Sequence, residues 1–183
     1  MQSKPDLLAQ LENHQTAFPE EAAFRQQVID FVLRNDAFWQ RTTLEGHITG
    51  SAWVLSPDGQ HVLLIHHKKL DRWLQPGGHV DEADATVADT ALRELLEETG
   101  LGDAVLLSLA CFDVDVHQIP ERVHEPTHYH YDLRYAFRAA SMTFYANYLE
   151  VKNIRWVPIS DLVGDGIEQS IRRMAMKMGL KAQ

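Results

Sequence analysis

The order of apolar patterns along this chain predicts an α/β protein, a mixed β-sheet covered by helices. Three observations carry the prediction. Strand-like runs at 47–55 and 61–67 are parted by the turn Ser56-Pro57-Asp58-Gly59. An amphipathic helical stretch follows and stops at Gly100. Further strand-like runs come after it and lead to a last helix. The 183 residues suit one folded unit of ordinary size, and 45% hydrophobic content is typical of a globular core.

Taken in order, residues 5–15 and 19–34 read as helices. Pro19 pre-sets the first turn of the second, Glu20 and Glu21 suit its positive end, and Phe24, Val28, Phe31 and Val32 recur along one side. Residues 1–45 thus form an N-terminal helical extension, expected to pack on a main domain of residues 46–183, with Arg41 to Glu45 joining the two. Covering a substrate pocket or making a homodimer contact are the other uses open to it. The runs at 47–55 and 61–67 form a hairpin, and Asp71 to Gln75 is strand-like. Beyond the helix ending at Gly100, strands are expected at 104–116, 130–138 and 151–157, then a helix from about 167 to 178.

The chemistry concentrates in Arg93-Glu94-Leu95-Leu96-Glu97-Glu98-Thr99-Gly100-Leu101, set behind Pro76-Gly77-Gly78. Residues three and four apart are neighbours on a helix, so Glu94 faces Glu97 and Glu98 and three carboxylates crowd one face. Val87, Ala88, Ala91, Leu92 and Leu95 occupy the other side, which leaves a solvated acidic face as the plain alternative. Oxygen-only ligands favour a hard cation, Mg2+ first and Mn2+ as a substitute. Gly100 stands where a left-handed helix cap is wanted, and Gly77-Gly78 permit a sharp turn or close backbone approach.

These residues resemble the Nudix hydrolases, whose signature is G-x5-E-x7-R-E-U-x-E-E-x-G-U, with U aliphatic. Arg93, Glu94, Leu95, Glu97, Glu98, Gly100 and Leu101 match its second half at every position. Its first half is altered: Asp84 replaces the Glu counted from Gly78, and eight residues, Ala85 to Leu92, separate it from Arg93 instead of seven. Asp84 and Thr86 also read as helix N-caps. Glu150 to Leu162 looks like the family's last strand and turn, so the likeness covers roughly residues 46 to 165.

The resemblance implies a Nudix-type α/β/α sandwich and a metal-dependent hydrolase. It would cleave the diphosphate linkage of a nucleoside diphosphate joined to another moiety. It implies that Glu94, Glu97 and Glu98 bind the metal with the backbone carbonyl of Gly77. Arg93, four residues before Glu97, can orient that carboxylate through charge-assisted hydrogen bonds. Glu97 and Glu98 are the first candidates for a general base, although family members also use later loops. That directs attention to Glu125, His128, His130 and Asp132. Alternation puts the last three on one strand face, where they could contact phosphate, transfer protons, hold a further metal or simply form a polar face. His79, just behind the glycine pair, is a further substrate-binding candidate. Trp73, Tyr129 and Tyr131 could stack on a flat group or serve packing alone.

Composition narrows the field. A net charge of −9 opposes stable binding to nucleic acid, which relies on clustered Lys and Arg, while small phosphorylated substrates stay compatible through a bridging cation. Cys111 is the single cysteine, so no internal disulfide forms, and its setting in Ala110-Cys111-Phe112 suggests packing. No signal pattern precedes Asp6 and no apolar run approaches membrane-spanning length, so a cytoplasmic location without a membrane partner is expected. Two other classes remain open: a non-catalytic Nudix-fold nucleotide-binding or regulatory module, and an isoprenoid diphosphate isomerase, which would need a reactive Cys111.

Overall fold

The computed structural model describes residues 2–121 and 126–180. They divide into two compact units, one of Met1–Ser51, Gly77–Ala91 and Ser108–Tyr135, the other of Ala52–Pro76, Leu92–Leu107 and Ala136–Gln183. Three elements contribute residues to both: β1 (Gly46–Leu55), α3 (Val87–Thr99) and β7 (His128–Arg138).

In the first unit, α1 (Lys4–Glu12) and α2 (Pro19–Arg34) pack together, and α2 lies on β6 (Asp113–Ile119). The stripe of α2 read from the sequence is the buried one: Val28, Phe31 and Val32 are fully covered. Phe31 stacks on Tyr131 of β7, ring centroids 4.0 Å apart and planes within 11°. Glu21, read from the sequence as an acid at the positive end of this helix, is completely buried. It accepts hydrogen bonds from the Thr16 hydroxyl and from the Val114 amide at 3.1 Å, and lies 2.7 Å from His14 Nε2. A buried carboxylate is tolerated only with such partners. The short strand β4 (Gly77–His79) pairs antiparallel with β1, Gly77 opposite Ser51, Gly78 opposite Gly50 and His79 opposite Thr49. Strands β6 and β7 pair antiparallel from Asp113↔Arg134 to Ile119↔His128.

In the second unit, β2 (His61–His67) pairs antiparallel along its whole length with β8 (Val151–Pro158). It also pairs with β3 (Arg72–Leu74) and, at Val62↔Leu55, with the end of β1. The expected turn closes this hairpin: the Gly59 amide donates to Ser56 O, and Gly59 takes φ +72°, a left-handed conformation that costs glycine little. Leu63, Leu64, Ile65, Ile154, Phe137, Leu95 and Met174 are buried. A 3₁₀ turn (Ile159–Leu162) leads to α4 (Gln169–Leu180).

One expected strand, 104–116, is two. Only β5 (Val105–Leu106) and β6 are regular. The Leu107 amide donates to Ala136 O and the Phe112 amide to Arg134 O, so the chain takes five steps where β7 takes two. The surplus residues cannot stay in the ladder, and Leu109 projects, 84% exposed. The first helix stops at Glu12 rather than residue 15, where the Asn13 side chain donates back to Ala9 O.

Candidate active site and a histidine cluster

The acidic helix begins in a reciprocal cap. Thr86 Oγ1 accepts from the Asp89 amide, while Asp89 Oδ2 accepts from the Thr86 amide and hydroxyl. Thr86 is therefore the cap. Asp84, expected to share that role, instead accepts from the Asp81 amide at 2.9 Å and the Thr90 hydroxyl at 2.8 Å. Its carboxylate ties the preceding loop to the helix side. The helix ends at Gly100, whose φ of +70° supplies the left-handed cap and whose amide donates to Leu96 O.

Between these ends the second unit gathers Arg93, Glu94, Glu97 and Glu98. Arg93 Nη1 donates to Glu94 Oε1 at 3.0 Å and to Glu97 Oε2 at 3.1 Å. Glu98 is buried, Glu94 is half-buried and Glu97 is exposed. Burial raises the Glu94 pKa above the ordinary carboxylate value; Arg93 opposes the shift, and the charges of Glu97 and Glu150 add to it. A partly desolvated carboxylate among like charges is where a divalent cation lowers the energy most, and the donors are all oxygen. The residues thus fit Mg2+ or Mn2+.

Gly77, Gly78 and His79 belong to the first unit. A Cβ at Gly77 would lie 2.3 Å from Ser51 Oγ and 2.8 Å from Gly50 O, so the close pairing of β4 with β1 requires glycine there.

The first unit also assembles histidines. His128 and His130 share a face of β7, with ring centroids 5.3 Å apart. His79 lies 5.0 Å from His130. Two rings that sequence reasoning passed over complete the group: His47 of β1, 4.9 Å from both His79 and His130, and His117 of β6, 5.4 Å from His130. A signal for His47 was present, since His47, Thr49 and Ser51 alternate with Ile48, Gly50 and Ala52 in an otherwise apolar strand. Burial holds the His130 pKa far below the ordinary imidazole value, and its neighbours His117, His79, His47 and His128 reinforce the effect.

The same polar face continues into an ionic network. Arg134 reaches Asp132 at 2.8 Å, Asp113 at 3.2 Å and Asp115 at 3.6 Å, and the Thr49 and Ser51 hydroxyls donate to Asp132. Burial opposes the Arg134 charge, yet the three carboxylates outweigh it and raise its pKa. Asp132 is thereby a structural partner of Arg134. Glu125 lies outside the described residues. In the second unit Trp73 stacks on His66 at 5.1 Å, and the Arg155 guanidinium sits 3.9 Å from its ring centre. Cys111 is buried, and its thiol donates to Asp113 O at 2.9 Å. Among the described residues no helix is long and apolar enough to cross a membrane.

Residues 46–177 match the model of the NUDIX domain. A protein of Mycobacterium tuberculosis, provisionally named mutator protein MutT4, is 36% identical over 103 residues, which is 56% of this chain and 39% of that protein. A protein of Lactococcus lactis, provisionally named DHNTP pyrophosphohydrolase, is 30% identical over 132 residues, or 71% of this chain and 76% of that one. The chain therefore spans well under half of the first relative and about three quarters of the second. Among solved structures, a NUDIX-family hydrolase of Clostridium perfringens has a TM-score of 0.55 at 22% identity, over 74% of this chain and 97% of its own. The NUDIX domain of Shewanella oneidensis NrtR, complexed with ADP ribose, has a TM-score of 0.54 at 18% identity, over 84% and 97%. These likenesses show the fold, a mixed sheet with flanking helices in an α/β/α sandwich.

Proposed function

Because the chain belongs to the NUDIX family, we propose that it is a metal-dependent pyrophosphohydrolase cleaving the diphosphate linkage of a nucleoside diphosphate joined to another group. The observation that carries this reading is the cluster of Glu94, Glu97 and Glu98 on one helix, with Arg93 bridging two of the three. Glu94, Glu97 and Glu98 would hold Mg2+, or Mn2+ in its place. Bound there, the ion would neutralise diphosphate charge and acidify an attacking water. Arg93 fixes the orientation of Glu97 and keeps part of the acidic charge balanced before substrate arrives. Glu97, the exposed member, is our candidate to accept a proton from water through the oxygen that Arg93 does not hold, whereas buried Glu98 suits ion binding. Gly77 and Gly78, which permit close backbone approach to a ligand, are assigned to substrate contact.

The substrate class draws support from two neighbours in fold, the NrtR domain complexed with ADP ribose and a C. elegans Ap4A hydrolase. The charge of −9 disfavours a long polyanion without a cation to mediate. A cytoplasmic setting belongs to the same reading, as does an N-terminal extension of residues 1–45.

The test is phosphate or monophosphate release from nucleoside triphosphates, nucleotide sugars and dinucleoside polyphosphates, with Mg2+ or Mn2+. Turnover should vanish with chelator, and Glu98→Gln should lower kcat at least about a hundredfold while the protein stays folded. A broad panel giving no release with folded protein and metal would remove the proposal. Ligand-induced thermal stabilisation in that same result would favour a binding module.

A further inference from the structure

Five imidazoles meet in the first unit, brought there by four strands, and the proposed hydrolysis uses none of them as metal ligands. The pairing explains the convergence. His79 lies opposite Thr49, so His47 is its diagonal neighbour across β1 and β4, while His117 lies directly opposite His130 across β6 and β7. His47, His79 and His130 each offer a ring nitrogen, and these three atoms lie within 4.8 Å of one another. We propose that His47, His79 and His130 form a second metal site, selective for an imidazole-preferring transition-metal ion such as zinc(II) and distinct in chemistry from the oxygen-donor cluster on α3.

Three physical points support the assignment. First, the donors are nitrogen only, and neutral imidazole is a ligand for zinc, copper or nickel, while Mg2+ prefers oxygen. Second, His130 Nε2 is buried and has no hydrogen-bond partner among the described residues, an arrangement costly for a polar atom that a metal bond would satisfy. Third, surrounding groups can orient the rings. His128 Nδ1 donates to Pro126 O at 2.8 Å, which fixes the orientation of a ring that sits 5.1 Å from His47. His117 Nδ1 lies 3.4 Å from Asp115 Oδ1.

Nitrogens bound to a tetrahedral zinc are about 3.4 Å apart, given bonds of roughly 2.0–2.1 Å. Closing from 4.8 Å requires movement of about an ångström, within reach of the half-buried His79 and His130 side chains.

The experiment uses the full chain, stripped with chelator, dialysed, and given zinc in the presence of excess Mg2+ so that oxygen-donor sites are occupied. The expected result is about one retained equivalent of zinc and a Tm rise of roughly 5–10 °C at a hundredfold excess over Kd. His79→Gln and His130→Gln should each weaken zinc binding at least about tenfold, with far-ultraviolet circular dichroism unchanged. No zinc retained by wild-type protein, or undiminished binding in both variants, overturns the assignment. Should the variants fail to fold, X-ray absorption of the cobalt(II)-loaded wild type decides. Two or more imidazole ligands uphold the site and fewer overturn it. Because the readout is metal content, loss of hydrolysis and loss of this site are separately visible.

Discussion

Replacing Arg134 by Met should be a severe perturbation of the first unit. The side chain is 3% exposed and lies against three carboxylates: Asp132 at 2.8 Å, Asp113 at 3.2 Å and Asp115 at 3.6 Å. Arg134→Met keeps the aliphatic stem but removes the guanidinium, so buried carboxylates lose their compensating charge, a change that costs about 3–5 kcal/mol. The Thr49 and Ser51 hydroxyls still donate to Asp132, which places the expectation toward the lower end. For a chain of this size the loss corresponds to a Tm decrease of roughly 6–20 °C. Urea unfolding followed by tryptophan fluorescence measures it, provided the m-value stays constant. Arg134→Lys keeps the charge but not the planar fork, and should fall between Met and wild type. A cost below about 1 kcal/mol for Arg134→Met would mean that the carboxylates behave as solvated surface groups, and the reasoning from burial would be refuted.

Gly77→Ala should destabilise by about 1–3 kcal/mol, since the new methyl meets backbone and the Ser51 hydroxyl at 2.3–2.8 Å; an unchanged Tm would contradict it. Phe31→Ala empties the stack on Tyr131 and should cost about 3–5 kcal/mol by denaturant titration, whereas a value near zero would show that α2 is only loosely held. Burial, reinforced by Glu45, pushes the Tyr131 phenol up to about 12 from an ordinary 10.0. The folded state therefore keeps this proton longer than the unfolded state, and the contribution is full below pH 10 and is lost as pH rises through about 12. Tyr131→Phe should flatten the alkaline fall in stability over that window by up to about 1.4 kcal/mol per pH unit, and identical slopes would refute the shift.

Local signals reached far along this chain because several elements are specified by their own residues. Pro19 and the Val28, Phe31, Val32 stripe located α2, and Gly59 and Gly100 marked a turn and a helix end where positive φ is required. The three glutamates could be placed on one helix face from spacing alone. What escaped were features decided by partners remote in sequence. Glu21 of helix α2 is buried where it meets His14, Thr16 and the Val114 amide of β6. The break at 107–112 depends on the register of β7, which nothing within the segment announces. His47 and His117 join the cluster through strand pairing, and an isolated histidine in a strand does not disclose its neighbours. Asp132, grouped with the histidines by alternation, is claimed by Arg134 two residues further on the same face.

The family match opens at residue 46, and a chain cut there would look whole by alignment. Physically it would be wounded. Removing α2 strips the lid from Tyr131, withdraws the acceptor from the Val114 amide and bares one side of β6, so that water meets an apolar strand surface. Trimmed versions should therefore be sticky and short-lived, and anyone shortening this enzyme candidate for crystals or display would do better to begin before Lys4 than at Gly46.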